Sequence, residues 1–258
     1  MKAYKGYLID LDGTMYRGTE KIEGADSFVH HLEANGFPYL FLTNNSAKTA
    51  GQVVEKLTRL GIPATEDHIF TSSMATASYI SDLKNQAKVF VIGEHGLIDA
   101  LQKEGHQIVE DDADYVIIGL DRDISYEKLT KACLNVRNGA KLISTNRDVA
   151  IPTERGMMPG NGAITSVVSV STGVSPIFVG KPSSIIMDQA LERIGFSKEE
   201  VVMVGDNYDT DIMSGISAGI DTLMVETGVS TFDGISDRPK QPTYQYKNLM
   251  DVIKEEGS

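Results

Sequence analysis

Cysteine is almost missing from this sequence: Cys133 is the only one in 258 residues. A lone thiol excludes an internal disulfide and a thiolate zinc cluster. Basic residues are also in deficit, 24 against 36 acidic ones, which leaves a formal net charge of -12. Such a chain has no polycationic footprint for a nucleic-acid backbone and little attraction to an anionic bilayer, so neither is an expected partner. No apolar run approaches the ~20 residues that cross a membrane. The first residues enter a strand-like run without the apolar stretch and small-residue cleavage site of a secretory leader. Fixed-period repeats, low-complexity tracts and Pro/Gly/Ser linkers are missing too. The five histidines, His30, His31, His68, His95 and His106, lack metal-ligand spacing. These exclusions leave an expectation of a cytoplasmic globular protein, long enough for one large domain or two modest ones.

What is present is an alternation of short apolar runs with amphipathic stretches. Tyr7-Leu8-Ile9, residues 39–42, 89–92, 115–118, 141–143, 177–179, 201–204 and 222–225 are apolar on successive positions. That pattern suits strands covered on both faces. Between them, residues 26–35, 51–60, 73–83, 126–138, 183–194 and 211–218 have helical spacing. Repeated β-then-α predicts an α/β fold with parallel sheets and right-handed crossovers. The polar stretch 230–246, with Pro239 and Pro242, reads as a surface connection before a last helix.

Several of these runs end in chemistry. Asp10-Leu11-Asp12-Gly13-Thr14 closes the first, Thr43-Asn44-Asn45-Ser46 the second, Gly180-Lys181 a later one, and Gly205-Asp206 another, with Asp211 near the next helix start. Ligands of an open parallel sheet bind beyond the carboxyl ends of its strands, so these four ends predict one polar site. Side chains two apart on an extended segment point the same way, which aims Asp10 and Asp12 at that site. Their carboxylates repel unless a cation intervenes. Oxygen-rich, histidine-free ligation favours a hard cation, and Mg2+ in particular binds through one or two carboxylates plus substrate phosphate. Thr43, Asn44 and Asn45 supply hydroxyl, amide and backbone N–H groups for an anion, and Lys181 supplies positive charge. Together these groups suit phosphoryl transfer, where catalysis is mainly positioning and charge stabilisation.

The same residues carry a family resemblance. Asp10-Leu11-Asp12-Gly13-Thr14, Leu42-Thr43-Asn44, Lys181, and Gly205-Asp206-Asn207 through Asp211 resemble, in order, the four motifs of the haloacid dehalogenase superfamily. Thr145-Asn146-Arg147-Asp148, Pro159-Gly160-Asn161-Gly162 and Gly180-Lys181-Pro182 extend the likeness to the NagD-like, p-nitrophenylphosphatase-like branch. The resemblance implies a Rossmann-like, doubly wound core with an inserted α/β cap domain. It implies Asp10 as the nucleophile that forms an aspartyl-phosphate, and Asp12 as the acid and base. It implies Mg2+ held by Asp10, the main-chain carbonyl of Asp12 and Asp206, with Asp211 holding the metal's waters or Lys181. Thr43, Asn44 and Lys181 would bind the transferring group. The implied substrates are small phosphomonoesters: sugar phosphates, acid-sugar phosphates, nucleoside monophosphates or pyridoxal phosphate. Two copies paired through the cap are also implied. A phosphotransferase or phosphomutase would use the same Asp10, and a phospho-receiver without catalysis is the reading from another class.

Spacing supports the insertion, since 137 residues lie between Thr43 and Lys181, far more than one crossover needs. The expected division is a core of residues 1–82 and 177–258 around a cap of 83–176. A closing cap excludes water and selects the leaving group. Asn146, Arg147, Asp148 and the loop 151–157 are the expected substrate contacts. Arg155 is foremost, because a guanidinium fork matches a carboxylate or phosphate. Leu120-Asp121-Arg122-Asp123 imitates the first motif but lacks Gly-Thr, and is expected to be a turn and helix cap. Gly160-Asn161-Gly162 lacks the third glycine of a dinucleotide fingerprint and reads as a helix start.

Overall fold

The computed structural model describes residues 1–153 and 155–256. The chain forms two compact units. The first comprises Met1–Thr43, Gly51–Phe70 and Lys181–Ser258, and the second Asn44–Ala50 and Thr71–Gly180.

The first unit is built on a six-stranded sheet. Its order is Tyr244–Tyr246, Asp221–Val225, Val201–Gly205, Gly6–Ile9, Tyr39–Thr43, Ile69–Thr71. Every residue of Gly6–Ile9, Tyr39–Thr43 and Val201–Gly205 is buried, as unbroken apolar runs require when helices cover both faces. Gly6–Ile9 runs parallel to Val201–Gly205 on one side and to Tyr39–Thr43 on the other. From the first strand the chain builds outward in one direction, then returns to build in the other, so strand order reverses between Gly6–Ile9 and Val201–Gly205. Such a reversal opens a crevice at the carboxyl edge. Asp10 and Asp206 are the residues that follow those two strands. Among the helices, Ser184–Ile194 starts at Ser183, whose hydroxyl accepts from Ile185 N–H at 3.3 Å, and ends on Gly195 in the left-handed conformation (φ 79) that a side chain would disfavour.

The second unit holds its own sheet, Ile177–Phe178, Lys141–Ser144, Tyr115–Ile118, Lys88–Ile92, Gln107–Ile108, all parallel. Phe90, Ile92, Val116, Ile118 and Leu142 form its core with Ala132 and Val136 of Tyr126–Arg137 and Ile164 and Val168 of Asn161–Thr172. A hairpin, Ala150–Thr153 with Gly156–Pro159, projects between Lys141–Ser144 and Asn161–Thr172 in the chain order.

These units divide the chain elsewhere than at residues 83 and 176. Ser72–Leu83 groups with the second unit because it packs on His95–Lys103, and its Ser73 hydroxyl donates to Ser46 C=O at 2.9 Å. Ile177 and Phe178 pair with Ile143 and Ser144, so the strand expected to lead into the first unit belongs to the second sheet, and Lys181 is the first residue of the returning chain. The stretch 230–246 is also more ordered than a plain connection. It contains the short helix Phe232–Ile235 and the edge strand Tyr244–Tyr246, which pairs with Asp221–Val225. Asp121 does make the expected turn, accepting from Asp123 N–H at 2.9 Å, but the cap of Tyr126–Arg137 is Ser125.

Candidate active site

Asp10, Asp206 and Asp211 meet at the carboxyl edge of the first sheet. One carboxylate oxygen from each lies within 4.8 Å of the others, and all three residues are buried. Asp10 extends the strand ladder, its N–H donating to Val204 C=O at 2.9 Å, which fixes its backbone opposite the end of Val201–Gly205. Asp206 is fully enclosed. Its Oδ1 accepts from the Thr14 hydroxyl at 3.0 Å and its Oδ2 from Val229 N–H at 2.7 Å. Gly13 (φ +97) and Gly228 flank it so closely that a Cβ at either would collide with the carboxylate. Asp211 reaches the cluster from a wide turn, Tyr208–Ile212, in which Ile212 N–H donates back five residues to Asn207 C=O at 3.3 Å. Turns of this kind recur at functional sites because they re-aim one side chain within a helix start. Asn207 N–H in turn donates to Asp211 Oδ2 at 3.0 Å.

Lys181 enters this cluster with 1 % of its surface exposed. Its ammonium donates to Asp10 Oδ1 at 2.6 Å, Asp211 Oδ1 at 2.7 Å and Leu42 C=O at 2.9 Å. An ammonium has three N–H donors, and these three bonds engage them. Burial opposes its charge, but the Asp10 and Asp211 carboxylates outweigh that and hold its pKa above the ordinary lysine value. Burial, together with Asp211 and Asp206, pushes Asp10 well above the usual carboxylate range despite the opposing ammonium. Burial and Asp211 raise Asp206 to about 6. Fully ionised, three carboxylates against one ammonium would leave two negative charges in a buried region, which is costly without compensation. A doubly charged hard cation restores neutrality with the oxygen donors present, so the residues fit such an ion.

Asp12 behaves differently. Its side chain is exposed, stands outside the buried carboxylate cluster, and accepts from the Tyr16 hydroxyl at 3.2 Å. Thr43 is buried at the end of Tyr39–Thr43. The other expected contacts lie in the second unit. There Asn44 donates to both Asp148 carboxylate oxygens at 3.3 Å, and Asn146 donates to Asn44 C=O at 2.8 Å. Asn45 Oδ1 takes up the N–H groups of Ala47 and Lys48 at 2.9 and 3.3 Å. Arg147 lies over the Phe178 ring, 5.2 Å from its centroid. Arg155 is exposed at the hairpin turn, its N–H donating to the Thr153 hydroxyl at 3.2 Å. Glu154, within the expected loop 151–157, lies outside the described residues. Asn161 starts its helix as expected. It is buried there, donating to Ser144 Oγ at 2.9 Å and Asn146 C=O at 2.8 Å.

Three participants carry no signal strong enough to be singled out in advance. Thr14 has one hydroxyl proton and stands between Asp206 Oδ1 at 3.0 Å and Asp10 Oδ2 at 3.4 Å, so it favours Asp206. Its place after Asp-Gly was the available clue. Val229 acts through its backbone, which no side-chain pattern reports. Tyr16 faces Asp12 only because the intervening loop folds back.

The family described as haloacid dehalogenase-like hydrolase matches residues 7–107, and that described as HAD-hydrolase-like matches residues 178–252. The chain belongs to the haloacid dehalogenase-like hydrolases. It falls in the NagD-like, p-nitrophenylphosphatase-like branch, as its motifs implied, and is a phosphoric monoester hydrolase by class. It is 56 % identical over 253 residues to the 5'-nucleotidase YutF of Bacillus subtilis, covering 98 % of this chain and 99 % of that one. It is 57 % identical over 256 residues to an acid sugar phosphatase of Staphylococcus epidermidis, covering 99 % of each. The crystal structure of a thermostable NPPase double mutant from Geobacillus stearothermophilus matches with a TM-score of 0.92 and 57 % identity, over 97 % of this chain and 98 % of that one.

Proposed function

We propose that this haloacid dehalogenase-like hydrolase is a Mg2+-dependent phosphatase that hydrolyses small phosphomonoesters through an aspartyl-phosphate on Asp10. The observation that carries the reading is the buried meeting of Asp10, Asp206 and Asp211 around Lys181. Acid-sugar phosphates and nucleoside monophosphates are the proposed substrate classes, supported by the names of the two curated relatives.

In this mechanism Asp10, Asp206 and the main-chain carbonyl of Asp12 hold the metal, with Asp211 supporting it from the Lys181 side. When bound, Mg2+ supplies positive charge that offsets the carboxylates and the phosphoryl oxygens. Lys181 opposes the protonation of Asp10 that burial favours, and orients it by a charge-assisted bond. An Asp10 carboxylate oxygen attacks phosphorus as the ester P–O bond breaks. Asp12 gives its proton to the departing alkoxide, then takes one from the water that attacks the aspartyl-phosphate, so inorganic phosphate leaves and both carboxyl groups return to their starting state. Asp12 suits that exchange of protons because it is exposed, whereas the buried nucleophile does not. Thr43 and Asn44 are the proposed phosphoryl contacts, and Asn146, Arg147 and Arg155 the proposed contacts with the rest of the substrate. Two copies are proposed to pair through the second unit. Its helices Tyr126–Arg137 and Asn161–Thr172 expose Leu134, Val167 and Val170, and exposed apolar surface of this kind marks interfaces. The proposed setting is the cytoplasm; no helix among the described residues is long and apolar enough to cross a membrane.

The test is phosphate release from p-nitrophenyl phosphate and a panel of phosphometabolites, with Mg2+ omitted in parallel and Asp10→Asn as blank. Turnover without an acceptor alcohol separates hydrolysis from transfer. Mass spectrometry of a quenched reaction should find one phosphoryl group on the peptide containing Asp10. Turnover by Asp10→Asn at the wild-type rate overturns the proposal.

A further inference from the structure

We propose that Tyr16 is a positioning residue for Asp12, fixing which carboxyl oxygen carries the proton delivered to the leaving group. The inference rests on the acid role given to Asp12 above, and extends it to a side chain outside the four motifs.

The geometry begins with the loop. Met15 and Tyr16 N–H both donate to Leu11 C=O, at 2.8 and 3.2 Å, and Gly13 N–H donates to Tyr16 C=O at 2.8 Å. Gly13 takes the positive φ that this tight return needs. The chain thus doubles back so that Tyr16, four residues on, stands beside Asp12. The Tyr16 ring is 3 % exposed, and its hydroxyl donates to Asp12 Oδ2 at 3.2 Å. On the ring face sits the Lys56 ammonium, 3.4 Å from the centroid. A cation there draws density from the π system and strengthens the phenol as a donor.

A carboxyl group carries two chemically alike oxygens. A buried phenol donating to Oδ2 distinguishes them. With Oδ2 accepting from Tyr16, the transferable proton is assigned to Oδ1. In the first step that proton moves from Oδ1 to the alkoxide oxygen while the ester P–O bond breaks and the Asp10–phosphorus bond forms. In the second, water's proton returns to Oδ1 while water oxygen bonds phosphorus and the Asp10–phosphorus bond breaks. Correct orientation of an acid is a large part of its effect.

The test is the leaving-group dependence of kcat/KM, which reports the steps up to departure of the alcohol. An alkyl phosphate needs its leaving oxygen protonated, whereas a nitrophenolate leaves well without a proton. Tyr16→Phe should lower kcat/KM for an alkyl phosphate on the order of tenfold, a part of the ~10²–10⁴ of a whole acid/base contribution. It should change p-nitrophenyl phosphate by less than about twofold. Lys56→Gln should show the same selectivity in smaller measure, about twofold to threefold. An equal loss on both esters, as a merely structural role gives, overturns the proposal, and so does no loss on the alkyl ester. If Tyr16→Phe does not fold, Lys56→Gln decides, and an unchanged ratio of the two esters overturns the proposal. Asp12→Asn is run beside them. If it keeps full turnover of the alkyl ester, the acid assignment itself fails; if it loses turnover while Tyr16→Phe is unselective, only the role of Tyr16 fails.

Discussion

Gly228 lies against the carboxylate of Asp206 with no room for a methyl group between them. The adjacent Val229 N–H donates to Asp206 Oδ2 at 2.7 Å, so this loop aims the carboxylate by contact and by hydrogen bond together. Gly228→Ala must therefore displace Asp206 or the loop. Groups that orient metal-holding carboxylates are worth about 10–100-fold in affinity. The Mg2+ concentration giving half-maximal activity should rise by about that factor. An unchanged requirement would show that the loop does not aim Asp206.

Lys181 is the one cation bonded to Asp10 and Asp211 among the described residues. Lys181→Met leaves three buried carboxylates uncompensated. Removing one partner of a buried pair costs about 3–5 kcal/mol. Urea unfolding without metal should report a loss of that order, and Mg2+ should recover more stability in the variant than in the wild type. Equal stability of the two proteins without metal would remove Lys181 as the counter-charge.

Asp206 predicts how protons and metal compete. Its pKa is raised from 3.8 to about 6 by burial and by Asp211. The folded, metal-free protein thus favours the protonated carboxyl. This contribution to stability is complete below about pH 3.8 and is lost as pH rises through about 6. Metal needs the ionised form, so Mg2+ affinity should fall as pH drops below about 6 and binding above it should release few protons from Asp206. Calorimetric titrations at pH 5 and 7.5 in buffers of different ionisation enthalpy measure both. Affinity independent of pH over that range would contradict the assignment.

His68 predicts a pH dependence away from the site. Its ring stacks on Tyr39 with centroids 4.3 Å apart, and its Nδ1 accepts from Thr65 N–H at 3.1 Å. Burial lowers its pKa from 6.5, against the opposing pull of Glu33 and Asp67. Its stabilising contribution is thus present above pH 6.5 and lost as pH falls through the lower, folded value. His68→Asn keeps an acceptor but does not titrate. The stability gap between wild type and variant should be widest near pH 7.5 and narrow by pH 5. Urea unfolding at both values reads the gap, and a constant gap would exclude His68 as the titrating group.

Asp10 and Asp206 were legible because each follows an apolar run, and the parallel strands of one sheet bring such ends to one edge whatever their distance in sequence. Lys181 also follows an apolar run, but that run pairs in the other sheet, so strand order does not account for its place. Asp211 was legible from its spacing after Asp206. The grouping of residues 44–50 and 71–82 with the second unit was not, since it depends on Ser73 reaching Ser46 and on helix packing that periodicity leaves unspecified. Tyr244–Tyr246 was missed because a three-residue edge strand with a central glutamine has no apolar run to announce it. The engagement of Lys181's donors was hidden for another reason: a motif names the residue that carries a charge, but only geometry says which atoms already hold it.

The wide turn Tyr208–Ile212 gives residue count a chemical meaning. Its five-residue reach sets the angle at which Asp211 leaves the backbone, so removing Thr210 would tighten the winding and swing that carboxylate aside by roughly a quarter of a revolution. Point changes at the exposed Asp209 leave that winding intact. Residue 209 can therefore change in identity where the segment cannot change in length.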